Sequence, residues 1–180
     1  MKDTVLFTIP EFLSPAACDA WIALAESHGF EEAPITTFQG PVHMPEVRNN
    51  TRVMIDDVPR AESLWSRLAP YVTAEHESGA CWRPVGLNER LRFYRYEPGQ
   101  VFRWHSDGAF VRRAGELSRL TFIVYLNEDF DGGATEFLDA VVTPRRGMAL
   151  VFSHPVRHQG AVVTRGTKHV LRSDVMFRRG

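Results

Sequence analysis

Apolar residues fall into two rhythms along this chain. Two early stretches repeat them at helical spacing, and from residue 90 onward they come in short runs split by turn residues. Ser14-Pro15 is an N-cap serine followed by a proline at the first helical position. It predicts a helix running to about His28, stopped by Gly29, with Trp21, Leu24 and Ala25 on its inner face. Leu64, Trp65, Leu68 and Val72 predict a second helix over about Pro59 to Val72. Val5 to Ile9 reads as a strand ahead of both.

The later runs, 90–96, 100–105, 118–126, 134–138, 147–153, 160–164 and 167–177, have the length of strands. The segments Glu128 to Gly133 and Pro144 to Gly147 supply turn chemistry between them. Many short strands at this spacing predict a mainly β fold with flanking helices. A double-stranded β-helix, or jelly roll, fits, with the N-terminal helices packed on its major sheet. No linker, repeat or low-complexity segment interrupts the chain. Residues 1–180 therefore read as one domain, with 1–88 as helical support and lid region and 89–180 as the jelly-roll core. Residues 31–52, rich in proline and polar side chains, read either as a mobile lid or as a solvated loop. As a lid they would carry Arg48, Asn49, Asn50 and Arg52 toward a substrate.

Composition narrows the partners. The chain has 180 residues, is 44% hydrophobic and carries a formal net charge of −1. No global basic field would draw it to nucleic acid or an anionic membrane. Cys18 and Cys81 lack CxxC spacing, which points away from a disulfide framework and toward a reducing cytoplasm. Met1-Lys2-Asp3-Thr4 opens no long apolar stretch, so no signal peptide is expected. No apolar run approaches the roughly 20 residues of a membrane span.

Candidate chemistry gathers at His105-Ser106-Asp107, where a predicted strand passes into a Gly-containing loop. Side chains at i and i+2 of a strand point the same way, so His105 and Asp107 can grip one ion. A third ligand comes from His154 or His158, both just past the strand Met148 to Phe152. His158 is preferred, because Gly160 and a β-rich segment follow it. Two histidines and one carboxylate hold Fe(II) on one face and leave the other face open. His28, His43, His76 and His169 have no partner at ligand spacing and read as solvated. An open iron site chelates a 2-oxo acid, and the far carboxylate of 2-oxoglutarate then needs a cation. Lys168 and Arg172 share one face of the last strand, and Lys168 is preferred. Tyr96 either adds a hydroxyl to the same anion or is a core side chain.

With these residues in view, the chain resembles the 2-oxoglutarate- and Fe(II)-dependent oxygenases, in their prolyl 4-hydroxylase-like branch. Arg95-Tyr96-Glu97-Pro98-Gly99-Gln100 leading to His105-Ser106-Asp107 carries the likeness. So do Tyr125-Leu126-Asn127 with Gly132-Gly133-Ala134-Thr135-Glu136-Phe137, Gly147 to Phe152, and His158-Gln159-Gly160 with Gly166-Thr167-Lys168. Phe12 to Cys18 is similar to the family's N-terminal helix start. The resemblance implies iron on His105, Asp107 and His158, the distal carboxylate of 2-oxoglutarate on Lys168, and a cosubstrate bond from Tyr96. It implies a dioxygenase that hydroxylates an unactivated C–H bond of a peptidyl or small-molecule substrate, with O₂ and an accessory ascorbate. Two residues depart from the pattern. Phe102 stands where many members have tyrosine, and Arg172 where a small polar residue is usual, so Arg172 competes for the cosubstrate or meets an acidic substrate.

Two other readings stay open from the residues. The pair Arg172 and Arg178 resembles the paired-arginine strand of alkylated-base demethylases acting on nucleic acid, against which the Gly-Gly-x-Thr turn and near-neutral charge stand. A jelly-roll binding protein without catalysis is the other. Substrate identity and oligomeric state are not written in the sequence.

Overall fold

The computed structural model describes residues 4–37, 40–77 and 79–180. Its centre is a ten-stranded sheet. Along the main path it runs Leu6–Ile9, Ala149–Ser153, Glu116–Tyr125, Lys168–Arg179, Arg90–Tyr96, Thr51–Asp56 and Glu31–Glu32. Opposite lies a four-stranded sheet of Val141–Val142, Thr135–Phe137, His158–Gly160 and Phe102–His105. Two sheets of this kind, with helices on the outside of the larger, make the expected double-stranded β-helix.

Strand alternation splits the interior into two cores. Leu91, Phe93, Phe122, Val124, Val151 and Leu171 face outward onto Cys18, Ala25, Ala61, Leu64 and Leu68 of the helices. The residues between them, Tyr94, Tyr96, Tyr125, Leu150, Phe152 and Val170, face the minor sheet. The last strand is the keel. Residues 168 to 172 pair with Arg90–Tyr96, and 175 to 179 pair with Ala80–Leu87, while its other edge runs along Glu116–Tyr125.

The first helix spans Pro15–His28, with the Ser14 side chain accepting from the Ala17 amide and Gly29 at the C-cap. Its buried stripe is Cys18 and Ala25 with Trp21 and Ile22 beside them, so Leu24 lies off the expected face. The second α-helix covers Val58–Leu68, and Ala69–Tyr71 continues as a 3₁₀ turn. Pro70 carries no N–H to extend the α ladder toward Val72.

Three segments depart from the sequence reading. Ala80–Leu87 is a strand despite Pro84 and Gly86, because it pairs with the far half of the last strand across a register irregularity. Residues 160–164 split into His158–Gly160 and Val163–Arg165. Among its described residues the stretch 31–52 contains regular structure that the sequence reading did not assign. It holds strands Glu31–Glu32, Ile35–Thr37 and Gly40–Val42, and Thr51–Asp56 begins within it. Its end is tied across the site strand. The Val101 amide donates to Asn49 Oδ1 at 2.8 Å and the Arg103 amide to the Val47 carbonyl at 2.9 Å, and Asn50 is buried. Among the described residues, no helix is long and apolar enough to cross a membrane.

Candidate active site

Antiparallel register brings the histidines together. His158 pairs Cα to Cα with His105, so both imidazoles rise from one point of the minor sheet with ring centroids 4.3 Å apart. Asp107 follows two residues after His105, its amide donating to the His154 carbonyl at 3.0 Å. His105 Nε2 lies 3.8 Å from Asp107 Oδ1, and His158 Nε2 lies 3.7 Å from Asp107 Oδ2. One ligand atom from each residue falls within 4.8 Å of the others, a spacing a single cation can bridge.

The protonation states suit a metal. His105 Nδ1 donates to the Arg103 carbonyl at 2.7 Å and His158 Nδ1 to the Val156 carbonyl at 2.9 Å. A carbonyl only accepts, so each Nδ1 keeps the proton and each Nε2 offers a lone pair. Burial, reinforced by His158, pushes His105 down to about 4, and burial lowers His158 as well. Burial acts to raise the Asp107 carboxyl, but Arg172 and the nearby histidines hold it well below the usual carboxylate range. Two neutral imidazoles and one ionised carboxylate are the donor set Fe(II) takes, with room for three further ligands. The residues present therefore fit the metal that the chain's resemblance implies.

Behind the carboxylate runs a hydrogen-bond chain that the sequence did not suggest. Thr121 Oγ1 donates to Asp107 Oδ2 at 2.5 Å and accepts from His154 Nδ1 at 3.0 Å. His154 Nε2 lies 2.9 Å from Ser118 Oγ, which accepts from the Phe110 amide at 2.8 Å. His154, the other candidate third ligand, thus sits behind the site and not in it.

A cavity is lined by His105 and His158 together with Tyr94, Tyr96, Ile123, Tyr125, Thr135, Val170, Arg172 and Lys168. Lys168 is 3% exposed, and among the described residues no carboxylate lies within ion-pairing distance of it. Its Nζ donates to the Gly133 carbonyl at 2.6 Å and stands 5.1 Å from the Tyr96 ring centre and 5.5 Å from that of Tyr125. Burial alone pushes it down to about 7. Gly133 has φ +63°, and a Cβ there would come within 3.1 Å of Lys168 Cδ, so the Gly-Gly turn is shaped around this side chain. Tyr125 Oη and Thr135 Oγ1, 2.6 Å apart, are polar wall groups that the motif contained without their contact being visible. Tyr96 is a buried wall side chain whose hydroxyl reaches toward Gly160, and its pKa is raised by burial to about 12.

Arg172 occupies a different place from Lys168. Its Nη2 lies 3.0 Å from Asp107 Oδ1 and 3.3 Å from Asp174 Oδ1, so it already has carboxylate partners. Arg48 is buried as well, its guanidinium centred 4.5 Å from the Tyr94 ring and 4.4 Å from the Phe102 ring. His169, expected to be solvated, bonds Glu26 at 3.0 Å and meets Phe30 edge-on. His28 and His43 are exposed as expected, and the side chain of His76 lies outside the described residues.

Comparison with known proteins agrees with this geometry. Residues 91–173 match the family model of the 2OG-Fe(II) oxygenase superfamily. A protein of Acanthamoeba polyphaga mimivirus carrying a provisional prolyl 4-hydroxylase name is 34% identical over 116 residues, 53% of this chain and 47% of its own length. A PKHD-type hydroxylase of Picosynechococcus is 26% identical over 172 residues, 92% of this chain and 75% of that one. Among solved structures, a prolyl-4-hydroxylase of Pseudomonas putida superposes with a TM-score of 0.65 at 20% identity, covering 97% of this chain and 92% of that one. The family-model match, a little under half of the chain, and the His-Asp-His cluster make the chain similar to the 2-oxoglutarate- and Fe(II)-dependent oxygenases. The relatives and the solved structure that the chain resembles carry prolyl 4-hydroxylase and PKHD-type hydroxylase names. It spans about half the length of the curated relatives it matches first.

Proposed function

We propose that the chain is a 2-oxoglutarate- and Fe(II)-dependent dioxygenase that hydroxylates a C–H bond, acting as one oxygenase domain. His105, Asp107 and His158 hold the iron, Lys168 receives the distal carboxylate of 2-oxoglutarate, and Tyr96 offers its hydroxyl to the same molecule. One observation carries the reading. A buried ammonium without a carboxylate partner among the described residues lines the same cavity as the two histidines of the His-Asp-His cluster. Such a cation is costly to bury unless an anion arrives to pair with it. Arg172, committed to Asp107 and Asp174, is the poorer candidate for that anion.

Iron and 2-oxoglutarate, when bound, supply the oxidising chemistry with O₂, and ascorbate serves as an accessory reductant. The chain's own residues do the rest. The two Nδ1–H bonds fix the imidazoles so that both Nε2 atoms face one point. Thr121 turns Asp107 toward the same point. Aromatic walls from Tyr94, Phe102 and Tyr125 keep water from the reacting carbon.

The substrate is a peptidyl or small-molecule compound. A solved prolyl hydroxylase of Trichoplax adhaerens, with TM-score 0.66 and 16% identity, is in complex with a peptide fragment, which makes peptides the first candidates. Free thiols at Cys18 and Cys81 support a reducing, cytoplasmic setting. The test is conversion of 2-oxoglutarate to succinate together with a mass gain of about 16 Da on a candidate substrate, both dependent on iron. His105→Ala and Asp107→Ala are expected to abolish both and to lose metal binding. Undiminished turnover in either variant would refute the reading.

A further inference from the structure

The cavity wall carries more positive charge than the metal and cosubstrate use. Arg48, Arg52, Arg92 and Arg172 converge beside Tyr94, and among the described residues the buried carboxylates facing them are Asp107 and Asp174. Glu31, the partner of Arg52 at 4.0 Å, is exposed. Burial acts to raise the Tyr94 hydroxyl, yet Arg172, Arg48 and Arg92 together bring it below its ordinary value, which reports the sign of the local field.

Three donors in this cluster, on Arg48, Arg52 and Arg172, are buried without a hydrogen-bond partner, and those of Arg48 and Arg172 lie at the cavity wall. Arg48 is 5% exposed; its Nε donates to Asn50 Oδ1 at 2.8 Å, and its Nη2 has no partner. The guanidinium is clamped between the Tyr94 and Phe102 rings, both of which line the cavity. Arg172 lines the cavity itself, and its Nε has no partner. Native interiors rarely leave such groups unsatisfied without a use for them. Neither belongs to the cosubstrate subsite, because Lys168 already stands unpaired there and Arg172 is joined to the metal-site carboxylate.

Resting on the function proposed above, we propose that Arg48 and Arg172 are specificity-determining residues that bind a carboxylate of the substrate, so that the substrate, peptide or small molecule, is one that carries a carboxylate near the oxidised carbon. Guanidinium groups suit this task because their planar forks match a carboxylate and keep their charge when buried. Arg172 Nη2 lies 3.0 Å from Asp107 Oδ1, so an acid held by this guanidinium would lie near the metal-site carboxylate.

The experiment uses protein loaded with Mn(II) and N-oxalylglycine, an inert isostere of 2-oxoglutarate, so that iron and cosubstrate positions are filled. Propionate and its neutral isostere propionamide are titrated by calorimetry and by thermal shift. Propionate is expected to bind saturably and propionamide at least roughly tenfold more weakly. Arg48→Met and Arg172→Met are each expected to weaken propionate by at least roughly tenfold, while Arg48→Lys retains part of the binding. Equal binding of acid and amide, absence of saturable propionate binding, or undiminished binding in both Met variants would each overturn the proposal. If a Met variant does not fold, the acid-against-amide comparison on the native protein still decides. Failure to load Mn(II) or N-oxalylglycine would instead overturn the oxygenase reading. The arginine pair is then judged on metal-free Lys168→Met protein, in which the competing cation is gone.

Discussion

Cosubstrate binding should draw a proton onto Lys168. Burial pushes this lysine down to about 7, and no carboxylate among the described residues holds its charge in place. At pH 8 only about a tenth of the free protein would carry that proton, from the one-unit difference. The distal carboxylate of 2-oxoglutarate restores the ammonium, so binding at pH 8 should take up about 0.9 proton, and at pH 6 about 0.1. The metal-site groups are silent in this window, since His105 and His158 are lowered and Asp107 lies well below its usual range. Calorimetry of 2-oxoglutarate into Mn(II)-loaded protein, repeated in buffers of different ionisation enthalpy, reads the proton count directly. Lys168→Met should erase the buffer dependence and weaken binding by about 2–5 kcal/mol, roughly 30- to 5000-fold, as for one lost partner of a buried charge pair. Identical enthalpies across buffers at pH 8, or unaltered affinity in Lys168→Met, would refute the assignment of Lys168.

Other outcomes follow from neighbouring contacts. Gly133→Ala, at φ +63° and within 3.1 Å of Lys168 Cδ, should cost about 1–3 kcal/mol of stability by denaturant melts and raise the 2-oxoglutarate dissociation constant. Thr121→Val removes the donor to Asp107 Oδ2 and should weaken Mn(II) binding roughly 10–100-fold by titration, with Thr121→Ser close to native. Metal-free protein should lose stability as pH falls from 6.5 to about 4. The unfolded chain protonates His105 first and the folded chain resists it, for a loss of about 3 kcal/mol readable in pH-dependent urea midpoints, with His158 acting in the same sense.

The sequence alone determined the parts whose signals are local. Alternation fixed the strand Arg90–Tyr96 and the two faces of the final strand, because a pleated backbone has a period of two whatever surrounds it. Ser14-Pro15 and Gly29 fixed the first helix, because capping is settled within one turn. His105 and Asp107 stood out as a pair two residues apart, although the strand ends at His105 and the Asp107 amide is held by the His154 carbonyl. The tertiary structure decided what depends on which strand lies opposite which. Pairing of His158 with His105 selected the third histidine and set His154 behind Asp107 on Thr121. Ala80–Leu87 became a strand despite Pro84 because the keel strand offered it an edge. His169 met Glu26 across 143 residues, and Arg48, still in its loop, laid its guanidinium over Tyr94 and Phe102. Pairing register, burial and the meeting of distant charges are properties of the folded whole, and no window of neighbouring residues encodes them.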